Sequence, residues 1–225
     1  MTKPQKSARD WTLSEAAPDY LGSVKLSPAL AATAYAVDHD PDSAKKIVET
    51  LEPNDDPSFL QSNAATAFDA LPTYWIAAAT DDWPAALADA RACDSWLDAH
   101  APANKLLGRL GPVWIQPLEA LAMAKAGDVA GAETLISKTP PDCYLCVHVR
   151  AQISRIKRDW PAAERWFAEA ARQGPSLPFA FSEWGDMRLA KGDVEGAIAR
   201  YDEALEYAPK WKALAKAREA AMEKN

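Results

Sequence analysis

A chain of 225 residues with 48% hydrophobic residues can bury one good-sized core or one short repeat array. Its net charge of −7 suits a phosphate backbone poorly, so nucleic acid is not an expected partner. No run approaches the roughly 20 apolar residues that span a bilayer. Met1–Asp10 is charged and polar with no apolar stretch behind it, so no secretory signal is expected. Three cysteines do not suggest a disulfide framework, and the expected compartment is a reducing cytoplasm.

In chain order, residues 1–20 read as a loose N-terminal segment and 21–225 as a helical domain. Alanine carries much of the apolar fraction, which favours helices that approach closely. The first predicted helix pair covers about 27–38 and 42–51. The loop Glu52-Pro53-Asn54-Asp55-Asp56-Pro57 follows, built from turn formers. The second pair covers about 60–79 and 84–99, and the third about 105–126 and 129–138. Pro72 and Pro117 fall inside first helices of these pairs and should kink or split them. The fourth pair covers about 143–157 and 160–173, and the fifth about 178–190 and 193–207. A last helix near 211–224 would cap the stack.

Internal self-matches support this map. Arg158-Asp159-Trp160-Pro161-Ala162-Ala163 continues to Phe167, Ala170 and Pro175; Gly192-Asp193-Val194-Glu195-Gly196-Ala197 continues to Tyr201, Ala204 and Pro209. Every anchor is shifted by about 34 residues, the length of a two-helix repeat. Weaker echoes start at Asp82 and Gly127. Each echo reads as a turn and a helix start. Gly127 and Gly192 can take positive φ and close the preceding helix. Asp82, Asp128, Asp159 and Asp193 can cap the next one, and Pro84 and Pro161 suit its first turn. Ala44, Ala86, Ala132, Ala163 and Ala197 then mark where paired helices would cross.

These residues resemble the tetratricopeptide repeat (TPR), whose pattern runs W-x2-L-G-x2-Y, A-x3-F, A, P. The unit 178–211 matches at Phe181, Trp184-Gly185, Ala197, Tyr201, Ala204 and Pro209, and departs at Arg188, where an aromatic is usual. The unit 144–177 matches at Val147, Ala151, Ala163, Phe167, Ala170 and Pro175, and departs at Arg150 and Ser154. Ala120, Tyr74 and Ala32 suggest earlier, degenerate units. The resemblance implies an all-α solenoid of about five antiparallel helix pairs with a C-terminal capping helix. It also implies a concave face for a protein or peptide, as a scaffold or adaptor, with no catalytic residue. In the family register Phe68, Leu71, Trp75, Trp114 and Leu121 fall on that face at an apolar end. His148, Gln152, Arg155, Ser182 and Asp186 fall on it at a polar end. Internal packing of the aromatics is the competing reading, as are a fold-back of Trp11 or Leu13 into the groove and homo-oligomerisation. The family's carboxylate clamp places Lys and Asn where His148, Gln152, Ser182 and Asp186 stand here, so an acidic chaperone tail is disfavoured. A second expectation is the repeat region, sensory or oligomerising, of a bacterial winged-helix or nucleotide-cyclase-type regulator.

The chemistry-bearing groups are few. Cys143-Tyr144-Leu145-Cys146-Val147-His148 lacks the Cys-x-x-Cys-His of haem attachment and the second ligand pair of a zinc site. A redox reading lacks the βαβ context, although a helix N-terminus can lower a thiol's pKa. Structural cysteines are the preferred reading. His39, His100 and His148 are far apart in the repeat map, and no phosphate-binding glycine loop occurs. No cofactor, metal or enzymatic activity is expected. The basic run Arg150, Arg155, Lys157, Arg158, Arg165 and Arg172 reads as a solvated helix face.

Overall fold

The computed structural model describes residues 41–49, 73–103, 105 and 107–224. Every regular element among them is helical. They are α1 (Pro41–Val48), α2 (residues 73–79), α3 (Trp83–His100), α4 (Leu107–Leu110), a π-helical turn (Gly111–Ile115) and α5 (Gln116–Lys125). Then come α6 (Val129–Ser137), α7 (Tyr144–Ile156), α8 (Trp160–Gln173), α9 (Pro178–Lys191), α10 (Val194–Tyr207) and α11 (Lys212–Met222). The ends of α6 to α11 fall within two residues of those expected. The expected segment 1–20, the helix at 27–38, the loop at 52–57, Ala32, Phe68, Leu71 and Pro72 lie outside the described residues. No described helix is long and apolar enough to cross a membrane.

The chain divides into two compact units, Met1–Gly111 and Pro112–Asn225. In the first, Ala44 of α1 and Ile76 of α2 form a small core joined by Val48 and Trp75. Helix α3 buries Ala86, Ala90, Cys93 and Leu97, whose spacing is one helical stripe. In the second, α5 packs on α6, α7 on α8 and α9 on α10, while α11 covers α10. Two- or three-residue turns join the members of each pair, so they run antiparallel. The pairs follow one another in series, and the first helices α5, α7 and α9 also touch in succession.

One turn design occurs four times. Asp81, Gly127, Arg158 and Gly192 all have positive φ, at 57°, 104°, 61° and 89°. The next residue is always an aspartate, and its N–H donates to the carbonyl five residues back: Ala77, Met123, Ser154 or Arg188. The N–H of the positive-φ residue donates three residues back, completing a Schellman closure that satisfies two orphan carbonyls. The aspartate side chain then caps the following helix, accepting from the N–H of Ala85, Gly131, Ala162 or Gly196. A single dipeptide thus closes one helix and opens the next, which sets the tight angle between them.

The crossing positions are filled by the smallest side chains. Ala44, Ala86, Ala132, Ala163 and Ala197 are each 0% exposed. Opposite Ala197 stands Gly185, where an added Cβ would lie 2.5 Å from the Tyr201 ring and 3.1 Å from the Ala197 carbonyl. Larger groups pack above and below. Phe167, Trp184 and Met187 form one cluster with Ala151 and Ala163; Phe181 and Tyr201 form another with Leu214 and Ala221 of α11. The terminal helix therefore covers apolar surface that the last pair would otherwise expose.

The expected helix at 105–126 is split, and the cause is local. In α-helical register Pro117 has no N–H for Val113 O; in the wider π register it has none for Pro112 O. Both carbonyls find donors on α7: the Cys143 thiol donates to Val113 O at 3.3 Å and the Cys146 thiol to Pro112 O at 3.5 Å. The chain restarts as α5 with Pro117 in its first turn, where a missing N–H costs little.

Candidate functional site

Helix α7 presents His148, Gln152 and Arg155 on one face, because residues four and three apart along a helix are neighbours. Helix α9 lies beside it and presents Glu183 and Asp186. Gln152 Nε2 donates to Glu183 Oε1 at 2.8 Å. His148 Nε2 stands 3.3 Å from Glu183 Oε2, close enough to pair when the imidazole is protonated but off the line of a hydrogen bond. Arg155 reaches Asp186 at 3.7 Å, and Tyr201 of α10 donates to the other Asp186 oxygen at 2.8 Å. The face is a polar ladder that runs from α7 across α9, with Ser182 half-buried beside it.

Electrostatics separate the two carboxylates. Burial pushes Glu183 up, but the attraction of His148 and Arg155 and the hydrogen bond from Gln152 outweigh it, so its pKa lies below the ordinary value. Burial dominates at Asp186, whose pKa lies above the ordinary value despite the Tyr201 hydrogen bond and Arg155. Arg155 and Asp186 stay partly reachable, with side chains 26% and 45% exposed, whereas Oε2 of Glu183 is buried. The ladder can therefore exchange an internal partner for an external donor or acceptor without first uncovering a core.

The other residues expected on the face have these surroundings. Trp75 is half-buried in the first unit, packed on the Ala44–Ile76 core and edge-on to Tyr74 at 5.3 Å. Trp114 is half-buried on the π-helical turn of the second unit. Leu121 is 8% exposed, so its side chain serves packing. Phe68 and Leu71 lie outside the described residues.

Sequence reasoning missed Glu183, the residue that joins His148 to Gln152. Its signal was available: it stands 31 residues after Gln152, three short of the repeat length, and Asp186 bears the same relation to Arg155. That separation puts residues on facing sides of successive first helices.

The basic run needs a correction. Arg150, expected on a solvated face, is buried. Its guanidinium donates to the carbonyls of Ile136, Thr139 and Pro140 at 2.7, 2.7 and 3.2 Å and lies over the Trp166 ring. A cation there caps the carboxyl end of α6, where carbonyls have no helical partner. Arg188, standing where the repeat pattern has an aromatic, pairs with Glu164 and Asp193. Arg188 and Arg200 both lie over the Trp184 ring, at 5.3 and 4.5 Å from its centroid. Lys157 pairs with Glu133 and Arg172 with Glu169, both at the surface.

The three cysteines are free thiols, with Cys93 and Cys146 buried and Cys143 half-buried. Cys143 is the N-cap of α7, its sulfur accepting from the Cys146 N–H at 3.3 Å. Comparison with protein-family models, curated proteins and solved structures finds no match to this chain.

Proposed function

We propose that the chain is a TPR-like α-solenoid that binds a protein or peptide on the face formed by its first helices. The observation that supports this reading is the ladder of His148, Gln152, Arg155, Glu183 and Asp186. Gln152, Arg155, Glu183 and Asp186 are partly exposed polar side chains on two adjacent first helices, with the buried His148 behind them, an arrangement that suits recognition of an extended or helical segment. A series of helix pairs offers such a face along its length. The repeat register assigns Trp114 to the first-helix face of the preceding unit, and aromatic anchors contribute heavily to interfaces of this kind.

The test is capture from a native lysate with wild type, Arg155→Ala, Ser182→Arg and Trp114→Ala, beside Arg172→Ala as a control. The Arg172 side chain is 71% exposed on α8, away from the ladder. The face variants should lose a specific partner by about tenfold or more while melting as the wild type does, and Arg172→Ala should keep it. Retention by all the face variants, or equal loss by Arg172→Ala, would defeat the reading. Capture of the chain's own copies alone would replace it with homo-oligomerisation.

A further inference from the structure

The Cys143–Cys146 pair is built into the molecule in an unusual way. Its thiols are the donors that replace the N–H Pro117 lacks: Cys143 on Val113 O and Cys146 on Pro112 O. The pair occupies the N-cap and N3 positions of α7, the two positions whose side chains face each other across a capping box. The extended Cys143 backbone, φ −102° and ψ 117°, turns its sulfur over the first helical turn, 3.3 Å from the Cys146 nitrogen. Cys143 is half-buried and Cys146 fully buried, so one sulfur is open to attack on a reagent and the other is sheltered behind it.

We propose that Cys143 and Cys146 form a reversible dithiol–disulfide site for low-molecular-weight disulfides, and that its oxidation releases the Pro112 and Val113 carbonyls and loosens the π-helical turn. The chemistry is thiol–disulfide exchange. The Cys143 thiol loses its proton to solvent, and the thiolate attacks one sulfur of the small disulfide. One thiolate leaves and a mixed disulfide remains. Cys146 then loses its proton, attacks Cys143 Sγ and displaces the second small thiolate. Two protein thiols are oxidised and one small disulfide is reduced to two thiols, so electrons balance. Closing the ring consumes both S–H donors at once. Pro117 still has no N–H to offer Val113 O in the α-helical register or Pro112 O in the π register. Burial and the hydrogen bond with Cys143 push the Cys146 thiol up to about 12, which makes ring closure the slow step. Cys93, deep in α3 and pushed up to about 11 by burial, stays reduced.

The experiment uses the full chain equilibrated in glutathione buffers of graded ratio. Acid quenching, alkylation and peptide mapping read the bond, and amide exchange reads the turn. The expected result is one intramolecular Cys143–Cys146 bond that dithiothreitol reverses. With it, exchange at the Val113, Trp114, Ile115 and Gln116 amides should speed up by about tenfold, the effect of losing two modest hydrogen bonds. Cys143→Ser keeps a hydroxyl donor and should show no oxidant-dependent change at those amides, while Cys146→Ser, which stops at a mixed disulfide on Cys143, should show only a smaller one. Three results would overturn the proposal: a mixed disulfide at Cys143 that never closes, a bond that forms without faster exchange in the turn, or the same acceleration in either serine variant.

Discussion

The two pairs α7–α8 and α9–α10 and the stretch 107–126 solve the same problem in opposite ways. The pairs close and open their helices with local backbone bonds, from a positive-φ residue and the aspartate after it. The stretch 107–126 changes register through a π-helical turn ahead of Pro117 and draws donors from thiols on α7. The first solution depends on residues adjacent in sequence. The second depends on residues about 30 positions away, and it ties the regularity of α5 to the chemistry of another helix.

The largest expected effect comes from filling a crossing in the regular pairs. Ala163→Leu or Ala197→Leu should cost about 1–3 kcal/mol by overpacking, read from denaturant midpoints at unchanged slope. Equal stability would mean these alanines do not set the approach of the helices. Arg150→Met should cost about 1.5–3 kcal/mol, because it leaves the carbonyls of Ile136, Thr139 and Pro140 without their charged donor. An unchanged midpoint would remove Arg150 as the cap of α6.

A double-mutant cycle tests whether the Cys143 thiol stands in for the N–H that Pro117 lacks. Cys143→Ala should cost about 0.5–1.5 kcal/mol by stranding Val113 O. In a Pro117→Ala background, where residue 117 has an N–H to offer, the cost should shrink by about 0.5 kcal/mol or more. Additive costs would show that the thiol does not stand in for the proline's missing donor. In the regular turns the matching change is Gly192→Ala. No atom lies within 4 Å of the added Cβ, so its cost of about 1 kcal/mol should come from positive φ alone. Arg158→Gly relieves the same strain and should be neutral or slightly stabilising.

The smallest effect is the acid limb of stability. Glu183 titrates below its ordinary range in the folded state, so it stabilises fully above the unfolded glutamate pKa, about 4.3. That contribution is lost as pH falls through the lower folded value. Asp186 has the opposite sign, since its raised pKa gives a contribution present at low pH and lost as pH rises. Glu183→Gln should therefore flatten the fall of stability on acidification, and an unaltered acid limb would contradict the direction assigned to Glu183.

The helix ends, the four aspartate caps and the crossing alanines were legible because their causes are local. Two turns were only half legible: Asp81 and Arg158 hold positive φ without being glycine, and only the Schellman bonds around them reveal it. The split at Pro117 was readable, but its repair by Cys143 and Cys146 was not, since no spacing rule links a proline to thiols on a neighbouring helix. The repeat register brought Gln152, Arg155 and Asp186 onto neighbouring helices, but it did not reveal that His148 is buried there. Glu183 was missed because the register was read along each helix and not across the 31-residue step between them.

The proposed binding face is tested most directly by hydrogen–deuterium exchange of the chain with and without its captured partner. Slowed exchange should concentrate in residues 144–156 and 178–191, the two helices that carry the ladder. Protection confined to α8, α10 or α11, or no protection anywhere, would contradict the assignment of the first helices as the binding surface.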